Sequence, residues 1–153
     1  MEVYEFGSVT YCTNVPAGPH PSDEEAEYVA SQIAEIFQVK LRDSPFAEEI
    51  AVVRVTFGFG CIFTGLALGA TATALYKFVK DYRKFRPAML LLFKDLNGIY
   101  VRLKGSGKKG STYVMRDDLP DESDLEAIAA ESKAGTIKPA KVTKRPVRRS
   151  SKD

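Results

Sequence analysis

Between Thr56 and Tyr76 the chain carries no charged residue, and between Lys77 and Arg86 it carries six, five of them basic. No other feature limits the fold as strongly, because so long an apolar block has to be hidden either in lipid or in a protein core. The run of 21 residues falls within the roughly 17–25 that cross a hydrocarbon core of about 30 Å. Lys77, Lys80, Arg83, Lys84 and Arg86 follow at once, the bias of a cytoplasmic flank. Gly65 and Gly69 stand four apart with Thr73 at the next helical step, a spacing that lets two helix backbones approach closely. Against a span, Gly58 and Gly60 move the helix start to about Cys61, leaving roughly 24 Å of helix before Lys77 at 1.5 Å per residue. A buried helix of a soluble domain, amphipathic in its second half, is the competing expectation.

Charge is unevenly divided along the chain. Up to Arg54 there are ten acidic residues against three basic, and from Lys77 onward 19 basic against ten acidic. The overall net charge of +2 conceals this polarity, which points to a membrane surface or a nucleic acid as partner. It also favours the membrane reading of the apolar run. The two cysteines, Cys12 and Cys61, form no Cys-x-x-Cys pair and make a weak case for a disulfide, which suggests a reducing compartment. The opening MEVYEF lacks the basic and apolar regions of a cleaved leader.

Local patterns give an α+β reading. A strand is expected over 3–11 and another over 49–59, where apolar residues occupy both faces. Between them, Ser22 stands three residues before Glu25, ahead of Ala26, Val29, Ile33, Ile36 and Phe37 on one helical face. That is a capping box opening a helix over about 22–41. Pro87 interrupts the pattern after the apolar run, and MLLLFKD (89–95) fits a strand or a short helix. Asn97-Gly98 marks a turn, IYVRLK (99–104) alternates, and STYVMR (111–116) pairs back. The expected organisation is an acidic α+β unit over 1–56, an apolar helix with a basic collar over 57–86 (membrane candidate 57–79), and a hairpin or meander over 87–119. A short acidic helix over 120–134 and a disordered basic tail over 135–153 complete it.

No motif carries chemistry. The loop GSGKKGS after Lys104 lacks the lysine that should follow the second glycine of a phosphate-binding loop, and no helix follows it. His20, the single histidine, lies between prolines and cannot supply a metal set or a triad. Asp117, Asp118, Asp121, Glu122 and Asp124 lack the glycine and spacing of a calcium loop and suit a helix start. Glu48 and Glu49 have no partner acid. The chain is therefore expected to be no enzyme, with no metal, cofactor or small-molecule substrate. Lys138, Lys141, Lys144, Arg145, Arg148 and Arg149 form a basic tail suited to anionic lipid or nucleic acid.

The leading expectation is a non-enzymatic, membrane-associated structural or effector protein, single-pass or monotopic. It would self-associate through Gly65, Gly69 and Thr73, with the basic residues of collar and tail on anionic headgroups or nucleic acid at the cytoplasmic or interior side. The alternative is a soluble, cytoplasmic α+β interaction or adaptor module with a buried central helix and a nucleic-acid-binding tail.

Overall fold

The computed structural model describes residues 2–15, 21–104 and 108–142 in full, and the backbone of 146–148. The elements run β1 (Tyr4–Thr13), α1 (Asp23–Arg42), β2 (Ile50–Gly58), β3 (Ile62–Ala70), α2 (Ala72–Lys80), α3 (Tyr82–Lys94), β4 (Ile99–Arg102), β5 (Lys109–Asp118), α4 (Glu122–Ala134) and β6 (Pro146–Arg148). Strand order is β4-β5-β1-β3-β2-β6. Five strands pair antiparallel, and β6 adds a short parallel stretch beside Val55–Phe57 of β2. β1 and β2 both run antiparallel to β3, which lies between them, so β1-α1-β2 is a split β-α-β unit. Bulges between Glu5 and Gly7, Thr10 and Tyr11, and Val52 and Arg54 bend the strands and curl the sheet.

The apolar run is the main correction. Residues 57–79 form no single helix: they contain the end of β2, a turn at 59–61, all of β3 and most of α2. Among the described residues no helix is long and apolar enough to cross a membrane, so the expected single-pass or monotopic helix is absent. The physical reason lies in β3, the middle strand of the sheet. β3 is paired along both sides, and every residue in it except Phe63 is buried, so it reads as a continuous apolar stretch. Its residues nevertheless alternate in size. Leu66 and Leu68 are fully buried toward the helices, while Gly65, Ala67 and Gly69 point the other way. Gly60 turns the chain between β2 and β3 at φ 123°, a conformation open to glycine. Thr71 then caps α2, its hydroxyl accepting from the Ala74 N–H at 3.2 Å.

The basic collar divides likewise. Lys77 and Lys80 end α2, and Arg83, Lys84 and Arg86 begin α3, with Asp81 between the two helices. α3 continues through Pro87, whose lost N–H falls on the exposed side, while Phe85, Met89, Leu92 and Phe93 are buried on the other. Residues 89–94 are thus helical. The tail departs from expectation as well: the Ala140 N–H donates to the Val3 carbonyl at 2.6 Å, and 146–148 pair with β2.

Where the sequence signals were local, they match. Ser22 caps α1 and its hydroxyl accepts from the Glu25 N–H at 3.1 Å. Ala26, Val29, Ala30, Ile33, Phe37 and Leu41 form its buried stripe. α4 ends at Gly135, where φ is 73° and the Thr136 N–H returns to the Glu131 carbonyl at 3.0 Å, a Schellman closure.

One core lies between the sheet and the four helices. Val9, Tyr11, Val55, Phe57, Leu66 and Leu68 meet Ile33, Phe37, Leu75, Met89, Phe93 and Leu125 there. Phe6, Phe46, Phe78 and Phe85 add an aromatic group, with Phe78 and Phe85 stacked at 4.3 Å. The Tyr11 hydroxyl donates to the Phe93 carbonyl at 2.9 Å. Burial, reinforced by the negative charge of Asp95, pushes this phenol well above its ordinary range. Beside Tyr11 in the ladder, the buried Thr64 Oγ1 has no hydrogen-bond partner among the described residues.

β4 and β2, the outer strands of the antiparallel set, each have a partner along part of their free side. Gln32 of α1 donates to the Arg102 carbonyl at 2.7 Å and accepts from the Arg102 N–H at 2.9 Å. Glu25 accepts from the Lys104 N–H at 2.6 Å. At the opposite border, β6 runs along β2.

Candidate nucleic-acid interface

The helices cover one face of the sheet and leave the other open, and the ladder fixes which residues the open face displays. Side chains alternate along a strand, and directly paired residues share a face. Because Val9, Tyr11 and Thr13 of β1 point into the core, Ser8, Thr10 and Cys12 point out, opposite Ala67, Gly65 and Phe63 of β3. Arg54, Thr56 and Gly58 continue this face on β2. Arg116 and Tyr113 do so on β5, opposite Thr10 and Cys12. On β4, Val101 is buried, so Tyr100 and Arg102 are outward, opposite Ser111 and Lys109.

Tyr100 and Tyr113 stand a diagonal apart on this ladder, a separation of roughly 7–8 Å between strands. They are 69% and 41% exposed. Buried tyrosine is ordinary, whereas two exposed rings on one uncovered face, beside Arg102 and Lys109, form a surface able to stack planar groups. The alternation Ile99, Val101, Leu103 against Tyr100, Arg102, Lys104 in the sequence already separates the two sides of β4. The addition of Tyr113 needs the β4–β5 register and was not foreseen.

Toward β2 the same face sinks into a cleft of about 280 Å³ lined by Glu5, Ser8, Thr10, Arg54, Thr56, Gly65, Leu66, Ala67, Arg116 and Asp118. Its floor is low because β3 presents only glycine and alanine there. Arg54 reaches over β3 to Glu5 at 2.9 Å, and Arg116 Nε meets Asp118 at 3.1 Å. The Ser8 hydroxyl donates to Asp118 at 3.4 Å, and the Thr56 hydroxyl to the Gly65 carbonyl at 3.5 Å. The packing beside the cleft is tight: a Cβ on Gly69 would lie 2.7 Å from Val3 Cγ1 and 2.8 Å from Val53 Cγ1.

At the other end of the face, Cys12 and Cys61 form a disulfide with Cα atoms 6.0 Å apart. This corrects the expectation of unpaired thiols. Residues 49 apart in sequence are brought together because β3 turns back beside β1, an arrangement invisible to cysteine spacing.

The residues picked out by sequence are dispersed by the fold. Gly65 and Gly69 lie in β3, while Thr73 is exposed in α2, so they form no common helix groove. Lys77 pairs with Glu49 at 3.1 Å. Together with Lys84 it borders a second depression, of about 320 Å³, over Phe46, Phe78 and Phe85 on the helical side. Lys80 lies 5.6 Å above the Tyr76 ring, with Lys133 at 5.8 Å. Arg83 is exposed and Arg86 half-buried on α3. Lys138 and Lys141 are exposed. His20, Lys144, Arg145, Arg149 and the side chain of Arg148 lie outside the described residues, as do 105–107 of the loop read against a phosphate-binding pattern. Among the described residues no group of three or more His, Cys, Asp or Glu could hold a metal ion.

No protein-family model, no curated protein and no solved structure matches the chain.

Proposed function

We propose that the chain is an α+β binding module that receives single-stranded nucleic acid on the open face of its sheet. This develops the interaction-module alternative and moves the contact from the tail to the sheet. The observation that carries it is the shared placement of exposed Tyr100 and Tyr113 with Arg102 and Lys109 on a face no described helix covers. Aromatic rings give successive bases a stacking surface, and basic side chains follow the phosphates between them. Phosphate contact without stacking would leave the two exposed rings unexplained. The exposed Lys138 and Lys141 add to the attraction at longer range.

Fluorescence anisotropy with labelled single-stranded oligouridine and oligothymidine tests this reading. A double variant, Tyr100→Ala with Tyr113→Ala, is expected to bind at least ten times more weakly with an unchanged circular dichroism spectrum, since each stacked base contributes about 1–3 kcal/mol. Arg102→Ala or Lys109→Ala should each reduce the slope of log affinity against log salt by about 0.7. Absence of binding by the unaltered chain at low salt, or equal binding by the double variant, would overturn it.

A further inference from the structure

We infer that the cleft between Glu5–Arg54 and Arg116–Asp118 is a guanine pocket, the position on the open face where one base of the bound strand is chosen. The inference rests on the reading of that face as a nucleic-acid platform and adds selectivity to it.

The charge pattern identifies the ligand class. A phosphate subsite gathers cations, but this cleft holds two carboxylates for its two guanidinium groups. Such a wall suits an uncharged ligand presenting donors on one edge and acceptors on another. Guanine has that form: N1–H and the N2 amino group are adjacent donors that match the two oxygens of a carboxylate. O6 and N7 are adjacent acceptors that match the fork of arginine. Adenine, cytosine and uracil place donor beside acceptor on their pairing edges and cannot satisfy a carboxylate twice.

Shape agrees with chemistry. The floor is the backbone of β3 at Gly65 and Ala67, with no larger side chain to hold a flat ring away. The hydroxyls of Ser8, Thr10 and Thr56 surround it. Both ion pairs are substantially exposed, with Arg54 and Glu5 at 47% and 39% and Arg116 and Asp118 at 60% and 51%. Exchanging a weak, solvated pair for contacts to a base is therefore inexpensive. The pocket is also placed to act with the tyrosines, because Arg116 follows Tyr113 on β5 by three residues, about 10 Å at the usual strand rise. A strand stacked on Tyr113 can lay a neighbouring base into the cleft.

The test uses the full chain and labelled nine-residue oligouridines carrying G, A or C at the centre. The expected result is binding of the G-containing strand at least fivefold tighter than all-uridine, with A and C near the all-uridine value. Glu5→Gln and Asp118→Asn should each reduce the ratio of G-strand to all-uridine affinity at least twofold, the ratio being the readout because removing a carboxylate from this face raises affinity for every strand. Ala67→Leu, which fills the floor, should abolish the preference, with a thermal melt reporting whether the chain remains folded. Equal affinity for all four strands, or preference for A or C, would overturn the pocket and leave the tyrosine platform standing. A preference for G that survives both carboxamide substitutions would place selectivity elsewhere and overturn this assignment. No binding to any strand would remove platform and pocket together.

Discussion

The two faces of β3 carry uncharged residues toward opposite surroundings. On one side Leu66 and Leu68 are fully buried beneath the helices. On the other Gly65 and Ala67 leave a low floor that charged side chains bridge and no described helix covers, with Gly69 packed beside it under Val3 and Val53. One side is held by the burial of large apolar groups, and the other is shaped by their absence. An unbroken apolar stretch therefore need not mean uniform surroundings. Residue volume, alternating along the strand, separates the supporting side from the side available to a ligand.

Charge placed on the supporting side should have the largest effect. Leu68→Lys would bury an ammonium group with no acid beside it in the ladder, so the loss should be at least about 4 kcal/mol, most of the stability of an ordinary domain. Urea unfolding followed by circular dichroism should show little or no folded baseline. A folded Leu68→Lys chain would mean that this side of β3 is less enclosed than its burial indicates.

Next comes the tight end of the floor. Gly69→Ala should cost about 1–3 kcal/mol by overpacking against Val3 and Val53, read as a lower urea midpoint at unchanged slope. An unchanged midpoint would show that β1 and β2 can move apart there, weakening the contrast between the faces.

A smaller change of opposite sign should come from Thr64→Val. It replaces a buried hydroxyl that has no partner among the described residues by a methyl group and should stabilise the fold by about 1 kcal/mol. Calorimetry should give a melting temperature raised by a few degrees. A fall would mean that the hydroxyl is satisfied by an ordered water.

The smallest effect belongs to the open side. Arg54→Met breaks the exposed pair with Glu5 and should change stability by less than about 1 kcal/mol. The same urea series checks it. A loss as large as that of Gly69→Ala would make the ion pair a structural clamp and deprive the cleft of the freedom its proposed role requires.

How far the sequence could be read follows the range of the forces involved. α1 was legible because Ser22, Glu25 and the apolar stripe act within a few residues of one another. The β4–β5 pairing was legible because Ile99, Val101 and Leu103 alternate with Tyr100, Arg102 and Lys104 before a polar loop, and Asn97-Gly98 encodes the turn from α3 into β4: Gly98 has φ 79°, and Asn97 Oδ1 accepts from the Val114 N–H at 2.6 Å. β3 was not, because hydropathy cannot distinguish a strand buried along its length from a buried helix. Gly65 and Gly69 were read with a period of 3.6 as one side of a helix, where the chain uses a period of 2 and places both on one face of β3. The collar looked continuous in sequence because the break at Asp81 between α2 and α3 has no proline or glycine to announce it. The proposed interface depends on pairing between residues about 100 positions apart, such as Tyr113 beside Cys12 and Arg116 beside Thr10. Local pattern has no access to such separations.

The engaged borders of the sheet have a consequence for how this molecule meets its own copies. A strand with unpaired N–H and C=O groups along its free side is a template for another chain and a starting point for fibrillar growth. Here amide and carboxylate groups of α1 occupy that template at Arg102 and Lys104, and β6 occupies it beside Val55–Phe57. Lateral recruitment of further strands is hindered at Arg102, Lys104 and Val55–Phe57, and the curved surface between the borders is left for a different kind of neighbour.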